Sequence, residues 1–187
     1  MTSSAQLLTQ TLSGWKRAGT GTFQWLTEGA LEVDGGPGLL WYAAQRYDNF
    51  VLQIEWRTMR GDANSGVFIR VPTLADDPQL AIARGYEIQI DDYGVGHERR
   101  KLFSPLHTTG AIYGLAPVRF VMSRGAALWN RFEITARGGD IDVSLNDTLV
   151  TQLRGGTREA SGHVALQAHH SGSPVQFRHL QIHRLVD

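Results

Sequence analysis

The chain contains no cysteine. Disulfides, thiolate nucleophiles and cysteine-held metals are therefore excluded, and an ion has only His, Asp and Glu side chains to bind. There is no excess charge of either sign, since 18 basic residues balance 18 acidic ones. Nothing electrostatic recruits nucleic acid or an anionic membrane, and neither is expected as a partner. No window is long and apolar enough to span a bilayer. Residues 1–10 carry neither the basic segment nor the apolar run of a secretory leader, so the expected location is cytoplasmic. The alternating strand–helix rhythm of a parallel sheet is missing. So are the phosphate loop, the nucleophile elbow and the dinucleotide fingerprint: Gly19-Thr20-Gly21 lacks the third glycine and the strand–helix setting.

What remains is a chain of short strands. At 187 residues it fits one domain, 1–187, and its 42% hydrophobic content is enough for a real core. Its 21 glycines suit many tight turns. Residues 1–13 read as a lead-in turn or helix. Strands are expected at 23–26, 30–33, 39–42, 48–59, 66–71, 85–91, 130–136, 141–145, 149–150, 162–170 and 175–185, with one helical turn near 78–83. The cleanest alternation puts Phe50, Leu52, Ile54 and Trp56 on one face and Val51, Gln53, Glu55 and Arg57 on the other. Trp41, Trp56 and Trp129 read as core rather than sugar platforms. This pattern is all-β, a two-sheet antiparallel sandwich. A long loop follows Asp92 and carries the charged cluster 97–101, which reads as a solvated tip. A loop of that length is also suited to a lid.

The stretch of most chemical interest is Gly85-Tyr86-Glu87-Ile88-Gln89-Ile90-Asp91. Alternation places Tyr86, Ile88 and Ile90 on a core face and Glu87, Gln89 and Asp91 on a polar one. We expect this strand to sit centrally in the sandwich, its polar face forming the floor of a sugar site. Glu55, Arg70, Tyr113 and Gln167 are candidate substrate contacts if their faces pave the same sheet, since planar amides, acids and flat rings suit sugar hydroxyls and C–H faces. Glu87 and Asp91 lie four residues apart, about 13 Å along a strand. A glycosidase pair needs about 5–9.5 Å, so a second carboxylate would have to come from a neighbouring strand, such as Glu55. No cofactor is required by the sequence. A divalent metal is left open, because His169, Glu87 and Asp91 are suitable ligand types, but no His-Glu-x-x-His spacing appears and His169 and His170 fall on opposite faces of a strand.

The ordered pieces Asn64-Ser65-Gly66-Val67-Phe68-Ile69-Arg70, 85–91, Thr109-Gly110-Ala111-Ile112-Tyr113, Trp129-Asn130, 141–146, 162–169 and Val175-Gln176-Phe177-Arg178 resemble the 3-keto-disaccharide hydrolase domain family, from about residue 40 onward. The resemblance implies a concanavalin A-like jelly roll and cleavage of 3-keto-glycosides. A ketone at C3 acidifies the C2 proton, so one base, one acid and donors to the enolate oxygen suffice for elimination, with water adding back. Glu87, Asp91 and His169 are then the acid, base or metal-ligand candidates, with Glu55, Arg70, Gln89, Tyr113 and Gln167 as substrate contacts. The sequence departs from the family pattern at Asn146-Asp147, where Asn-Gly is common, and at His179, where Asn is common. Both departures read as structural. A carbohydrate-binding module and a plain interaction domain are the competing readings.

Overall fold

A computed structural model describes residues 4–95 and 103–186; the charged cluster at 97–101 lies outside them. The described chain is almost entirely β. β1 (Ser4–Gln6), β2 (Trp15–Gly19), β3 (Thr22–Trp25), β4 (Leu31–Asp34) and β5 (Gly38–Tyr42) precede the long β6 (Phe50–Thr58) and β7 (Asn64–Val71). A single short helix, α1 (Gln79–Arg84), leads into β8 (Tyr86–Asp91). After a long connection come β9 (Asn130–Arg137), β10 (Asp140–Leu145), β11 (Thr148–Leu153), β12 (His163–Ala168) and β13 (Val175–Arg184). The lead-in expected as a turn or helix contains β1, which pairs with β13.

The strands form two antiparallel sheets. The larger runs β11–β10–β9–β6–β13–β4–β3 with β1 attached to β13, and the smaller runs β2–β5–β12–β7–β8. Alternation decides which side chains meet between them. Phe50, Leu52, Ile54 and Trp56 of β6 are all fully buried and face Val67, Ile69, Ile88, Ile90, Val164 and Leu166 across the core. A second, smaller apolar cluster lies on the outer face of the small sheet. There α1 and Leu74 cover Ala18, Leu39, Trp41, Phe68, Val71 and Ala165. One part of that outer face is thus roofed by apolar groups, while its other part carries polar side chains.

β8 is the last strand of the small sheet, not a central one. Its free edge is not bare. Residues 109–113 run along it: Gly110 N–H donates to the Gln89 carbonyl, and Gln89 N–H to the Ala111 carbonyl. Tyr113 N–H donates to the Glu87 carbonyl and Thr109 N–H to the Asp91 carbonyl, so the edge groups are satisfied.

The two departures from the family pattern have a backbone reason. Asn146 and Asp147 have φ of 50° and 69°, the pair of left-handed residues that a tight hairpin requires, and Asn and Asp tolerate it. His179 has φ 52° at the irregularity between Arg178 and Gln181, where β13 slips against β6.

Candidate functional site

The polar part of the small sheet's outer face is built by β7, β8 and β12. β7 and β8 pair with Phe68 opposite Glu87, Gly66 opposite Gln89 and Asn64 opposite Asp91. In β12, Gln167 shares the outer face with Ala165, which pairs with Phe68. The result is a patch of Asn64, Glu87, Gln89, Asp91 and Gln167 around a glycine. A side chain at Gly66 would begin 2.6 Å from Glu87 Oε1 and 2.9 Å from its Cγ. Glycine is therefore needed here for close approach, so that the Glu87 carboxyl can lie over the strand. Gly66→Ala is expected to displace the Glu87 carboxyl while costing little stability, because a flexible side chain can shift, and to weaken about tenfold or more any activity that depends on that placement. Parallel thermal melts and assays would reveal this, and unchanged activity would show that the carboxyl's placement is not critical.

Glu87 is buried, and burial pushes its pKa up to about 8, an effect partly offset by the charge of Arg158. The carboxyl is thus mainly protonated at neutral pH. The hydrogen-bonding environment orients the Gln89 amide with its nitrogen 3.2 Å from both Glu87 Oε1 and the Ser65 carbonyl oxygen. Arg158 comes from the loop between β11 and β12. Its guanidinium donates to the carbonyls of Ile82 (3.0 Å) and Gly85 (2.6 Å), fastening the end of α1 to the start of β8.

Asp91 has a different job. Its Oδ1 accepts from the backbone N–H groups of Tyr93 (2.9 Å) and Gly94 (3.0 Å), and its Oδ2 from Val95 N–H and the Asn64 amide, each 3.1 Å. Four donors occupy the carboxylate, which holds the turn after β8 in place. Asn64 is anchored in turn by Ser173, whose hydroxyl accepts from Asn64 N–H (2.7 Å) and donates to its carbonyl (2.9 Å). That contact ties the turn bearing His169 and His170 to β7.

Two acceptors on this face have no donor: Gln167 Oε1 and Asn64 Oδ1 are buried and receive no hydrogen bond. Buried polar atoms are rarely left so, because each costs about 1–3 kcal/mol. Tyr113 lies along the outer edge of β8, its N–H bonded to the Glu87 carbonyl. Its pKa is raised by desolvation and then by the carboxyls of Glu87 and Asp91, and its ring meets the edge of His107 at 4.8 Å.

His169 lies just past the end of β12, in an exposed turn. Its Nδ1 is 2.8 Å from Nδ1 of His170. The two rings do not point to opposite faces, because the strand stops at Ala168 and the alternation stops with it. Desolvation of the ring and the neighbouring His170 lower the His169 pKa, while Asp91 opposes them. The imidazole is therefore neutral at neutral pH. With a proton on Nδ1 shared toward His170, its Nε2 is left as an acceptor.

Two expected contacts lie elsewhere. Glu55 is on the outer face of the large sheet, the opposite side of the sandwich, where Arg178 donates to it at 2.6 Å. β6 is not a neighbour of β8, so Glu55 supplies no partner carboxylate for Glu87. Arg70 is almost fully buried with φ 53°, and its guanidinium donates to the carbonyls of Asp48 (2.7 Å) and Gly138 (2.6 Å). It staples the loop ahead of β6 to the β9–β10 turn. Trp129 is not core either; it is half-buried over the guanidinium groups of Arg57 (4.5 Å) and Arg178 (3.9 Å). Asn64 and Arg158 were not singled out from sequence, since neither belongs to an alternating acidic face.

Among the described residues, no group of three His, Asp or Glu side chains is placed to hold a metal ion. Among the same residues no helix is long and apolar enough to cross a membrane.

The two-sheet antiparallel sandwich with a polar, half-roofed outer face is a jelly roll. The chain belongs to the 3-keto-alpha-glucoside-1,2-lyase-like domain family, whose sequence profile matches residues 6–183. Solved structures agree on the fold. A candidate glycosyl hydrolase from Parabacteroides distasonis superposes with a TM-score of 0.77 at 23% identity, over 98% of this chain and 100% of that one. A second from the same organism gives 0.75 at 19% identity, over 94% and 90%. The carbohydrate-binding module CBM66 from Bacillus subtilis gives 0.62 at 13% identity, over 90% and 94%. No curated protein matches the sequence.

Proposed function

We propose that this protein cleaves 3-keto-glycosides by elimination, with Glu87 as acid and His169 as base, the two reaching the substrate from opposite ends of the polar face. The observation that carries the reading is the Glu87 carboxyl: buried, held protonated near neutral pH, and set on one face with the unpartnered oxygens of Gln167 and Asn64. Those oxygens suit the hydroxyls of a sugar, which would satisfy them by donating. Family membership supports the same substrate class.

In the proposed reaction His169 Nε2 removes the proton at C2 of the sugar. The electron pair passes into the C3 carbonyl as an enolate, then expels the oxygen at C1, which takes the proton of Glu87. The products are an unsaturated 3-keto sugar and the free alcohol; addition of water to the former gives the 3-keto sugar. Tyr113 is suited to donate to the enolate oxygen. Two groups with pKa values moved in opposite directions from their ordinary ones divide the acid and base roles. Among the described residues the classical paired-carboxylate route finds no second free carboxylate, because Asp91 caps a turn and Glu55 lies on the other sheet.

The pH profile follows from the two shifts. Activity needs His169 neutral, so it falls at low pH, with the limb lying below the usual histidine value of 6.5. It also needs Glu87 protonated, so it falls again as pH rises through about 8. A profile of kcat/KM against pH with a 3-keto-glucoside checks both limbs, and activity that climbs steadily past pH 9 would exclude Glu87 as the acid.

The second reading is a sugar-binding module, favoured by the fact that among the described residues a single carboxyl on the face, that of Glu87, is not taken up by donors. Incubation with a 3-keto-glucoside or 3-keto-trehalose separates the two. Release of the 3-keto sugar upholds the enzyme. Saturable binding without release assigns the module.

A further inference from the structure

We propose that His169 and His170 form a chelating site for a divalent transition-metal ion, copper or nickel by preference. The motivating geometry is the convergence of two Nδ1 atoms at 2.8 Å, with the ring planes at 83°. Two imidazole nitrogens bound to one ion at about 2.05 Å stand about 2.9 Å apart when the angle at the metal is 90°, and about 3.3 Å apart when it is tetrahedral. The observed separation matches the right-angled case. A right angle between donors is usual for square-planar and tetragonal ions such as Cu(II) and Ni(II). The order of intrinsic affinities also puts copper first.

The surroundings allow entry. Both residues are exposed, and the turn carrying them is fixed rather than loose: Ser173 N–H donates to Asp34 Oδ1 at 2.9 Å and the Ser173 hydroxyl holds Asn64. The carboxylates whose charges act on the two rings are already committed. Asp91 is filled by four donors, and Asp62 is held bidentately by Arg60 at 2.9 and 2.8 Å. The ion therefore takes two protein nitrogens, and water or a ligand oxygen fills its other positions. In the empty site a shared Nδ1 proton fills the same gap, so proton and metal compete for it.

A consequence rests on the glycoside-cleavage reading. An ion on Nδ1 leaves the ring's proton on Nε2, so a loaded His169 accepts no proton from substrate. Metal occupancy and base function exclude each other, and the ion acts as an inhibitor rather than a cofactor.

The test is titration of the full chain with copper(II) chloride, followed by calorimetry and by electron paramagnetic resonance. We expect one equivalent bound with nitrogen hyperfine structure from two imidazoles. His169→Ala and His170→Ala should each weaken that binding at least tenfold, while His183→Ala, on the far sheet, leaves it unchanged. Both altered side chains are exposed, and unchanged melting curves would show the variants folded. Copper binding of equal strength and identical spectrum in the double Ala variant would overturn the site. Binding without loss of turnover would uphold the site and remove His169 as the base.

Discussion

Glu87→Gln is expected to lower kcat/KM toward a 3-keto-glycoside by about 100- to 10,000-fold, the range for loss of a positioned proton donor. The same change also alters stability in a way a bystander residue would not. In the wild type the folded state holds the Glu87 proton up to about pH 8, whereas the unfolded chain releases it near 4.5. Between those values the folded state binds more protons, so stability falls as pH rises. A tenfold change in proton affinity is about 1.4 kcal/mol, so a lift of this size is worth several kcal/mol. The stabilisation is fully present below pH 4.5 and gone above about 8. Glutamine cannot ionise and keeps an oxygen for the Gln89 amide to reach. The variant therefore shows a flatter stability curve from pH 4.5 to 8 and is the more stable protein at pH 9. Urea unfolding at several pH values measures this, beside turnover at pH 7. Lost turnover with an unaltered stability curve would mean that the carboxyl is ionised in the fold and that acid catalysis by Glu87 is wrong.

The expected face of β8 was legible because alternation is a local property. Tyr86, Ile88 and Ile90 do enter the core, and Glu87, Gln89 and Asp91 do share the other side. Which strand lies next to which is not local. Nothing in the period of β6 says that Glu55 belongs to a different sheet from Glu87, and nothing in the period of β8 says that it is an edge strand. Both errors come from the same gap: alternation assigns a side chain to a face but not to a neighbour. β2 escaped notice for a related reason. Of its five residues only Ala18 is buried, so there is no apolar alternation to see. The His169–His170 contact was missed because strand phase was carried two residues too far, past Ala168. Asp91 illustrates another limit. Its residue type fits catalysis, but its use as the cap of a turn depends on three backbone N–H groups that no side-chain pattern records. The turn at Asn146-Asp147 was readable because those residue types tolerate positive φ. The same conformation at Arg70 was not, and it aims that guanidinium at carbonyls away from the Glu87 patch.

Trp56→Ala is the substitution expected to cost most stability, about 3–5 kcal/mol by the usual range for emptying a buried tryptophan site. Trp56 sits mid-sheet in β6, opposite Asn130 of β9 and Phe177 of β13, with no exposed surface and its ring 5.2 Å from that of Phe132. Against a typical total of 5–15 kcal/mol, the loss is large enough to move the melting temperature by roughly 10 °C. One feature reduces the cost below what area alone suggests. The indole N–H is buried without an acceptor, a defect of about 1–3 kcal/mol that the native protein carries. Trp56→Phe removes that defect and keeps most of the ring, so it costs far less than Trp56→Ala. The contrast between the two variants is the measurement. Equal losses would show that the indole N–H has a partner and that its desolvation is not a burden. Trp56 faces the core from the large sheet, while Glu87 lies on the outer side of the small one, so the two perturbations share no partner. Their effects on stability should add in the Trp56→Phe, Glu87→Gln double variant, as distant sites do within about 0.5 kcal/mol. Additivity would place the functional carboxyl outside the packing that holds the sandwich together, so that the site can be altered without dismantling the fold that presents it.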